Sequence, residues 1–204
     1  MRVLRNAFLF IGVVMIVCGF VAVAPAGEFN KVVSIGDAGP DVAGTGVDDK
    51  ETKLADYKDA KAIVLVFTCN GCPVAVAYED RLVALQKDYA EKGVQVLAIN
   101  VNATKGDTLE LMKKKAESKE FNFPYIRDDS QASAKAYGAT TTPHAFLLDG
   151  DRKIVYMGAI DNSKKASAVE SNYMRDAIDA LLAGETIEKA ETRQFGCSIK
   201  WGKK

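Results

Sequence analysis

The 204-residue chain is short of the residues that mark specialised classes, with four cysteines, five prolines, one tryptophan and one histidine. Four cysteines are too few for a fold stapled by disulfides. Basic and acidic residues balance at 27 each, so the chain lacks the positive excess that binding nucleic acid requires. There is no internal repeat and no low-complexity tract. With 48% hydrophobic and 26% charged residues, the composition excludes a disordered or fibrous chain. The length suits one globular domain.

The first 26 residues stand apart. Arg2 and Arg5 precede a stretch from Ala7 to Ala24 without a charge, and Ala24-Pro25-Ala26 has the small-x-small pattern of a signal-peptidase site. Residues 1–26 are therefore expected to be a signal peptide or, if uncut, an N-terminal membrane anchor. Residues 27–204 form the domain. Both readings put that domain outside the cytosol, periplasmic or otherwise extracytoplasmic, because the positive end stays inside. Cys18 follows Val17, where a lipid-attachment site wants a small residue. Without Cys18, the odd set of Cys69, Cys72 and Cys197 remains.

Hydrophobic patterning predicts an α/β domain. Residues 28–60 are rich in turn signals and suggest a hairpin. The unbroken apolar run Ile63–Phe67 suits a strand buried on both faces. Tyr78, Leu82, Leu85 and Tyr89 then recur at helical spacing up to Gly93, and Val94–Ile99 is the next strand, so a parallel pair with a right-handed crossover is expected. Asp107-x-x-Glu110 reads as a capping box for a helix running to about Glu120, with Lys113, Lys114 and Lys115 on a solvated face. A short helix runs from Ser130 to Gly138. Ala145–Leu148 and Ile154–Met157 form a hairpin about Asp149-Gly150-Asp151. A last helix turns Met174, Ile178, Leu181 and Leu182 inward and stops at Gly184, leaving 185–204 as a C-terminal tail.

Chemistry concentrates at Cys69-Asn70-Gly71-Cys72-Pro73, between the buried strand and the amphipathic helix. A helix N-terminus favours a thiolate, and thiolate is the nucleophile of disulfide exchange. Cys69 is expected to be the more acidic, attacking sulfur and Cys72 the less exposed, resolving one. Pro73 fits the first helical turn, where its missing N–H costs nothing. The pair has three other readings: a static disulfide, part of a zinc site and inert core thiols. Zinc needs four ligands, and only Cys69, Cys72, Cys197 and His144 are on offer, so no metal or cofactor is expected.

Thr142-Pro143, reached through Tyr137-Gly138-Ala139-Thr140-Thr141, leads into the Ala145–Leu148 strand. Here the sequence resembles the thioredoxin-like superfamily, in which a cis-proline loop faces a C-x-x-C pair. Gly36–Asp41, Leu54–Lys58, Phe123-Pro124-Tyr125 and the ending Phe195–Trp201 narrow the resemblance to exported bacterial peroxiredoxin-like redoxins, over roughly residues 32 to 202. The resemblance implies a thioredoxin-like fold, a central mixed β-sheet flanked by helices with an N-terminal β-hairpin-like extension. It implies a thiol–disulfide oxidoreductase, with Thr142 and Pro143 as a shelf for a disulfide-containing protein or small thiol substrate. The electron donor is not identified, and a membrane is involved only through an uncut leader.

The departures keep two alternatives in view. Peroxiredoxins carry Pro-x-x-x-Thr-x-x-Cys and a partner Arg, whereas here Thr68 directly precedes Cys69 and Thr142-Pro143-His144 stands where the Arg would be. A thiol peroxidase is one alternative, since Cys72-Pro73 does mimic the peroxidatic Cys-Pro pair. A Sco-like copper chaperone, with His144 as the later ligand, is the other, although Sco cysteines have three residues between them rather than two, and a lone His such as His144 is more often structural than an accessory residue. The resemblance also leaves the base for Cys72 unassigned, because Ile63 and Ala75 stand where relatives carry acids. Cys197 is either a structural thiol in a docked tail or a third redox partner for Cys69.

Overall fold

The computed structural model describes residues 27–202, so the expected leader and Cys18 lie outside the described residues. The elements are β1 (Ala43–Gly46), β2 (Glu51–Lys53), β3 (Ala62–Thr68), α1 (Pro73–Tyr89), β4 (Val94–Asn100), α2 (Leu109–Ser118), β5 (Tyr125–Arg127), α3 (Ala132–Ala136), β6 (Thr141–Thr142), β7 (His144–Leu148), β8 (Ile154–Gly158), α4 (Tyr173–Ala183) and β9 (Cys197–Ser198). Seven of the strands form one mixed sheet in the order β2-β1-β5-β4-β3-β7-β8. β3, β4 and β5 run parallel, and β7 lies antiparallel to β3. The expected front hairpin is β1 with β2, joined to the sheet through β5.

β3 sits in the interior of this sheet and every residue of it is buried. Its side chains alternate between two cores, as the period of two requires. Ala62, Val64 and Val66 meet Tyr78, Leu82 and Leu85 of α1, Met112 of α2 and Met174 and Ile178 of α4. Ile63, Leu65 and Phe67 meet Ala134 of α3, Tyr137 and the front-segment residues Val33 and Val42. The continuous apolar run follows from this double coverage. Among the described residues no helix is long and apolar enough to cross a membrane.

Helix ends follow their local signals. Gly93 and Gly184 take the left-handed conformation at φ +87° and +71°, ending the turn after α1 and α4. The expected capping box is displaced by one residue. Thr108 is the N-cap of α2, accepting the Leu111 N–H, and the helix ends at Ser118 rather than near Glu120. Asp107 is buried and turned away from that helix. α3 is also shorter than expected, because Gln131 is left-handed at φ +58°.

Candidate active site

The strand-to-helix junction carries the two cysteines. β3 ends at Thr68, the chain turns through Asn70 and Gly71, and Pro73 opens α1. Cys72 is the N-cap of α1, and its Sγ accepts the Ala75 N–H at 3.5 Å. Opposite it lies the loop with a cis Thr142–Pro143 bond, as expected. Thr142 is fully buried and meets both sulfurs. Its Oγ1 lies 3.3 Å from Cys69 Sγ, and its carbonyl accepts the Cys72 thiol at 3.1 Å. Among the described residues Cys69, Cys72 and Cys197 are free thiols.

The backbone of Thr142, expected to serve as a substrate shelf, is occupied by the chain's own tail. β6 and β9 pair antiparallel, with Thr142 opposite Cys197 and Thr141 opposite Ser198. The Ile199 N–H continues the ladder to the Thr140 carbonyl at 2.9 Å. Gly196 is required here by close approach, since a Cβ on it would lie 2.1 Å from the Thr142 carbonyl oxygen. Cys197 packs against the cluster of Cys69, Cys72 and Ala75. The tail before it is held in place as well. Thr192 and Ala190 hydrogen-bond to Met157 of β8, and the Glu191 carboxylate accepts the N–H groups of Glu28, Phe29 and Asn30 at 2.8, 2.6 and 3.0 Å.

The acidities follow from this packing and reverse the order expected from the sequence. Burial works against ionisation of Cys72. Hydrogen bonds from the Cys197 side chain and from the N–H groups of Ala75, Cys197 and Val74 outweigh it and hold the Cys72 thiol below its ordinary value. Burial pushes the Cys69 thiol up, more than its hydrogen bonds with Thr142 and the Cys72 N–H pull it down, and the Asp107 charge adds to the rise. The helix N-cap belongs to Cys72, so the stabilisation assigned to Cys69 falls three residues further on. Cys69 and Cys72 are both buried.

A polar network holds the loop from behind, and sequence reasoning missed it. All the polar groups of Asn70 are bound. Its N–H donates to Asp107 Oδ1 at 2.8 Å and its side-chain amide to the Gly106 carbonyl at 3.0 Å. Its Oδ1 accepts the Tyr125 hydroxyl, and its carbonyl accepts Lys115 Nζ, each at 3.0 Å. Asn100 donates to both Asp107 and Tyr125. Lys115 is therefore not on a solvated face, as it reaches buried Glu79 at 2.7 Å. Its position three residues after the core residue Met112 was the available signal. Cys69, Glu79, Lys115 and Tyr125 line one small cavity behind the loop.

His144 lies in the apolar interior. It is buried and stacked on Phe146 with ring centroids 4.6 Å apart, and burial lowers its pKa to about 4. Among the described residues no group of three or more His, Cys, Asp or Glu is arranged to hold a metal. Among the described residues the arginines have other partners than the sulfurs. Arg81 binds Asp161, Arg127 binds Asp129, Arg152 binds the Tyr57 carbonyl, Arg175 binds Asp88 and Arg193 covers Phe29.

Known proteins resemble this chain in sequence and fold. A model of the AhpC/TSA family matches residues 35–157. A conserved protein from Geobacillus kaustophilus superposes with a TM-score of 0.79 at 38% identity, covering 84% of this chain and 94% of its own. A protein from Sinorhizobium meliloti gives the same TM-score at 33% identity, covering 85% of this chain and 97% of its own. The thiol-disulfide oxidoreductase ResA of Bacillus thuringiensis is 28% identical over 158 residues, 74% of this chain and 87% of that protein. The fold is thioredoxin-like.

Proposed function

Because the chain belongs to the AhpC/TSA family, we propose that it is a thiol–disulfide oxidoreductase in which Cys69 and Cys72 cycle between dithiol and disulfide. The observation that carries this reading is the contact of both sulfurs with Thr142 at the cis-proline loop, 3.3 Å from its hydroxyl and 3.1 Å from its carbonyl. The similarity to ResA proteins supports it.

In the proposed reaction one sulfur, as thiolate, attacks a substrate disulfide. The substrate S–S bond breaks, a mixed disulfide forms, and the leaving sulfur departs as a thiolate that takes up a proton. The second sulfur then attacks the first, releases the remaining substrate thiol and closes the Cys69–Cys72 disulfide. An extended substrate strand would pair with the backbone at Thr142, so a disulfide-containing protein is the substrate class that suits the site. The Asn70 network fixes the loop between the sulfurs, so the pair is held in place before substrate arrives. Arg2, Arg5, the apolar stretch and Ala24-Pro25-Ala26 support an exported location.

The peroxidase reading draws no support from the site, because the arginines of the described domain are bound elsewhere. The copper reading draws no support either, since among the described residues no group of three or more His, Cys, Asp or Glu is arranged to hold a metal. Reduction of insulin disulfides with a small dithiol as electron source tests the proposal. Cys69→Ser and Cys72→Ser should each lose about 100-fold or more, and the double variant little beyond that, because the two sulfurs act as a unit. Wild-type turnover in either single variant would sink the reading.

A further inference from the structure

We propose that Cys197 is a third redox thiol, carried to Cys72 by a tail strand that docks as a tethered substrate. The proposal rests on the dithiol reading above and adds a partner to it. The tail pairs with the backbone at Thr142, the edge an incoming strand would use. Gly196 lets the two backbones meet, and Phe195 anchors the approach with its ring 6.2 Å from that of Tyr78. Beyond the ladder, Asn102 accepts the Lys200 N–H and Gln131 accepts the Gly202 N–H, each at 2.9 Å. The strand is thus secured on both sides of Cys197, whose side chain packs against Cys69 and Cys72.

Exchange can follow from this arrangement without an outside oxidant. In the form oxidised at Cys69–Cys72, the Cys197 thiolate attacks Cys72 Sγ. The Cys72–Cys197 bond forms as the Cys69–Cys72 bond breaks. Cys69 leaves with the electron pair and takes up the proton that Cys197 gave up. The number of disulfides is unchanged. The Cys72 N–H and the Thr142 hydroxyl stabilise the departing Cys69 sulfur. The tail is then covalently fixed in the shelf and Cys69 is free. The tail is therefore a competitor that a protein substrate must displace, and Cys197 is the sulfur to which the oxidised state passes.

The test is disulfide mapping of the full chain after equilibration with reduced and oxidised glutathione. Free thiols are blocked and peptides are fragmented without reduction, which tells Cys69 from Cys72 within the peptide they share and both from Cys197. Wild type should give Cys69–Cys72 and Cys72–Cys197 links together. Cys197→Ser should give Cys69–Cys72 alone. Cys69→Ser should give the Cys72–Cys197 link, with oxidised glutathione first forming a mixed disulfide that the second thiol resolves. A Cys69→Ser variant of unchanged circular dichroism that carries only glutathione adducts, with wild type showing Cys69–Cys72 alone, would overturn this proposal and leave the dithiol reading standing. Absence of the Cys69–Cys72 link from wild type would remove both.

Discussion

Thr142 and Cys197 face each other across a two-residue antiparallel ladder, and the Thr142 carbonyl that lies under the tail also accepts the Cys72 thiol at 3.1 Å. One residue thus touches both cysteines of the C-x-x-C pair and the tail as well. The setting in which each sulfur ionises is shared among three segments far apart in sequence.

That sharing fixes an order of acidity. Cys72 should react with an alkylating reagent at lower pH than Cys69, because it has the helix N-cap and the Cys197 donors, whereas burial raises Cys69. Cys197→Ala removes a donor to the Cys72 thiolate and should move the Cys72 midpoint upward. Alkylation from pH 5 to 10, about the span in which thiols titrate, read by fragment ions that separate Cys69 from Cys72, measures both. A Cys69 midpoint below that of Cys72 in wild type would contradict the docked arrangement.

Gly196 should tolerate no side chain while the tail is docked. The Cβ of Gly196→Ala would lie 2.1 Å from the Thr142 carbonyl oxygen, so either the backbone shifts or the strand lifts. Overpacking of this kind costs about 1–3 kcal/mol, enough to favour the lifted strand. Hydrogen exchange at Ile199, whose N–H reaches the Thr140 carbonyl, should become faster in the variant. Unchanged protection there would mean that the tail does not need this glycine.

His144 should make the fold acid-sensitive. Its pKa drops from 6.5 to about 4 on burial, so between those values the unfolded chain binds a proton that the native one does not. Native stability is therefore intact above about pH 6.5 and is lost progressively as pH falls toward 4, by about 3 kcal/mol in all. His144→Phe keeps a ring for Phe146 and should lose this slope. Urea melts of both proteins at pH 7 and pH 4.5 read the difference, and parallel stability losses would show that His144 is not the group involved.

Leu82 tests the phase of α1. It is buried between that helix and β3, so Leu82→Ala should cost about 2–5 kcal/mol in a denaturant melt. A loss near zero would mean that the helix presents another face.

What the sequence disclosed depended on range. Tyr78, Leu82, Leu85 and Tyr89 revealed their helix because a stripe of apolar residues repeats within a few turns, and β3 was visible because both its faces are covered. Asp107 was misread as a capping residue because its role lies in accepting the Asn70 N–H, on a loop 37 residues away. Lys115 looked solvated among its neighbours, yet it reaches Glu79. The β6–β9 pairing left no trace at all, since strands of two residues have no periodicity to detect. The thiol order was inverted by a boundary of three residues. The helix begins after Cys72, and its N-cap stabilisation goes to that sulfur.

The Glu191 carboxylate, gripping three N–H groups of residues 28–30, acts as a hinge pin. Because Glu191 and Thr192 stay on β8, the strand bearing Cys197 can leave Thr142 without loosening the sheet behind it. Its departure breaks the Thr142–Cys197 ladder and lifts the buried Ile199, a local unfolding of the microsecond-to-second class. Access to the sulfurs is then set by how often the strand opens, so a partner that arrives quickly waits on the opening, and only a slower one meets its time-averaged fraction.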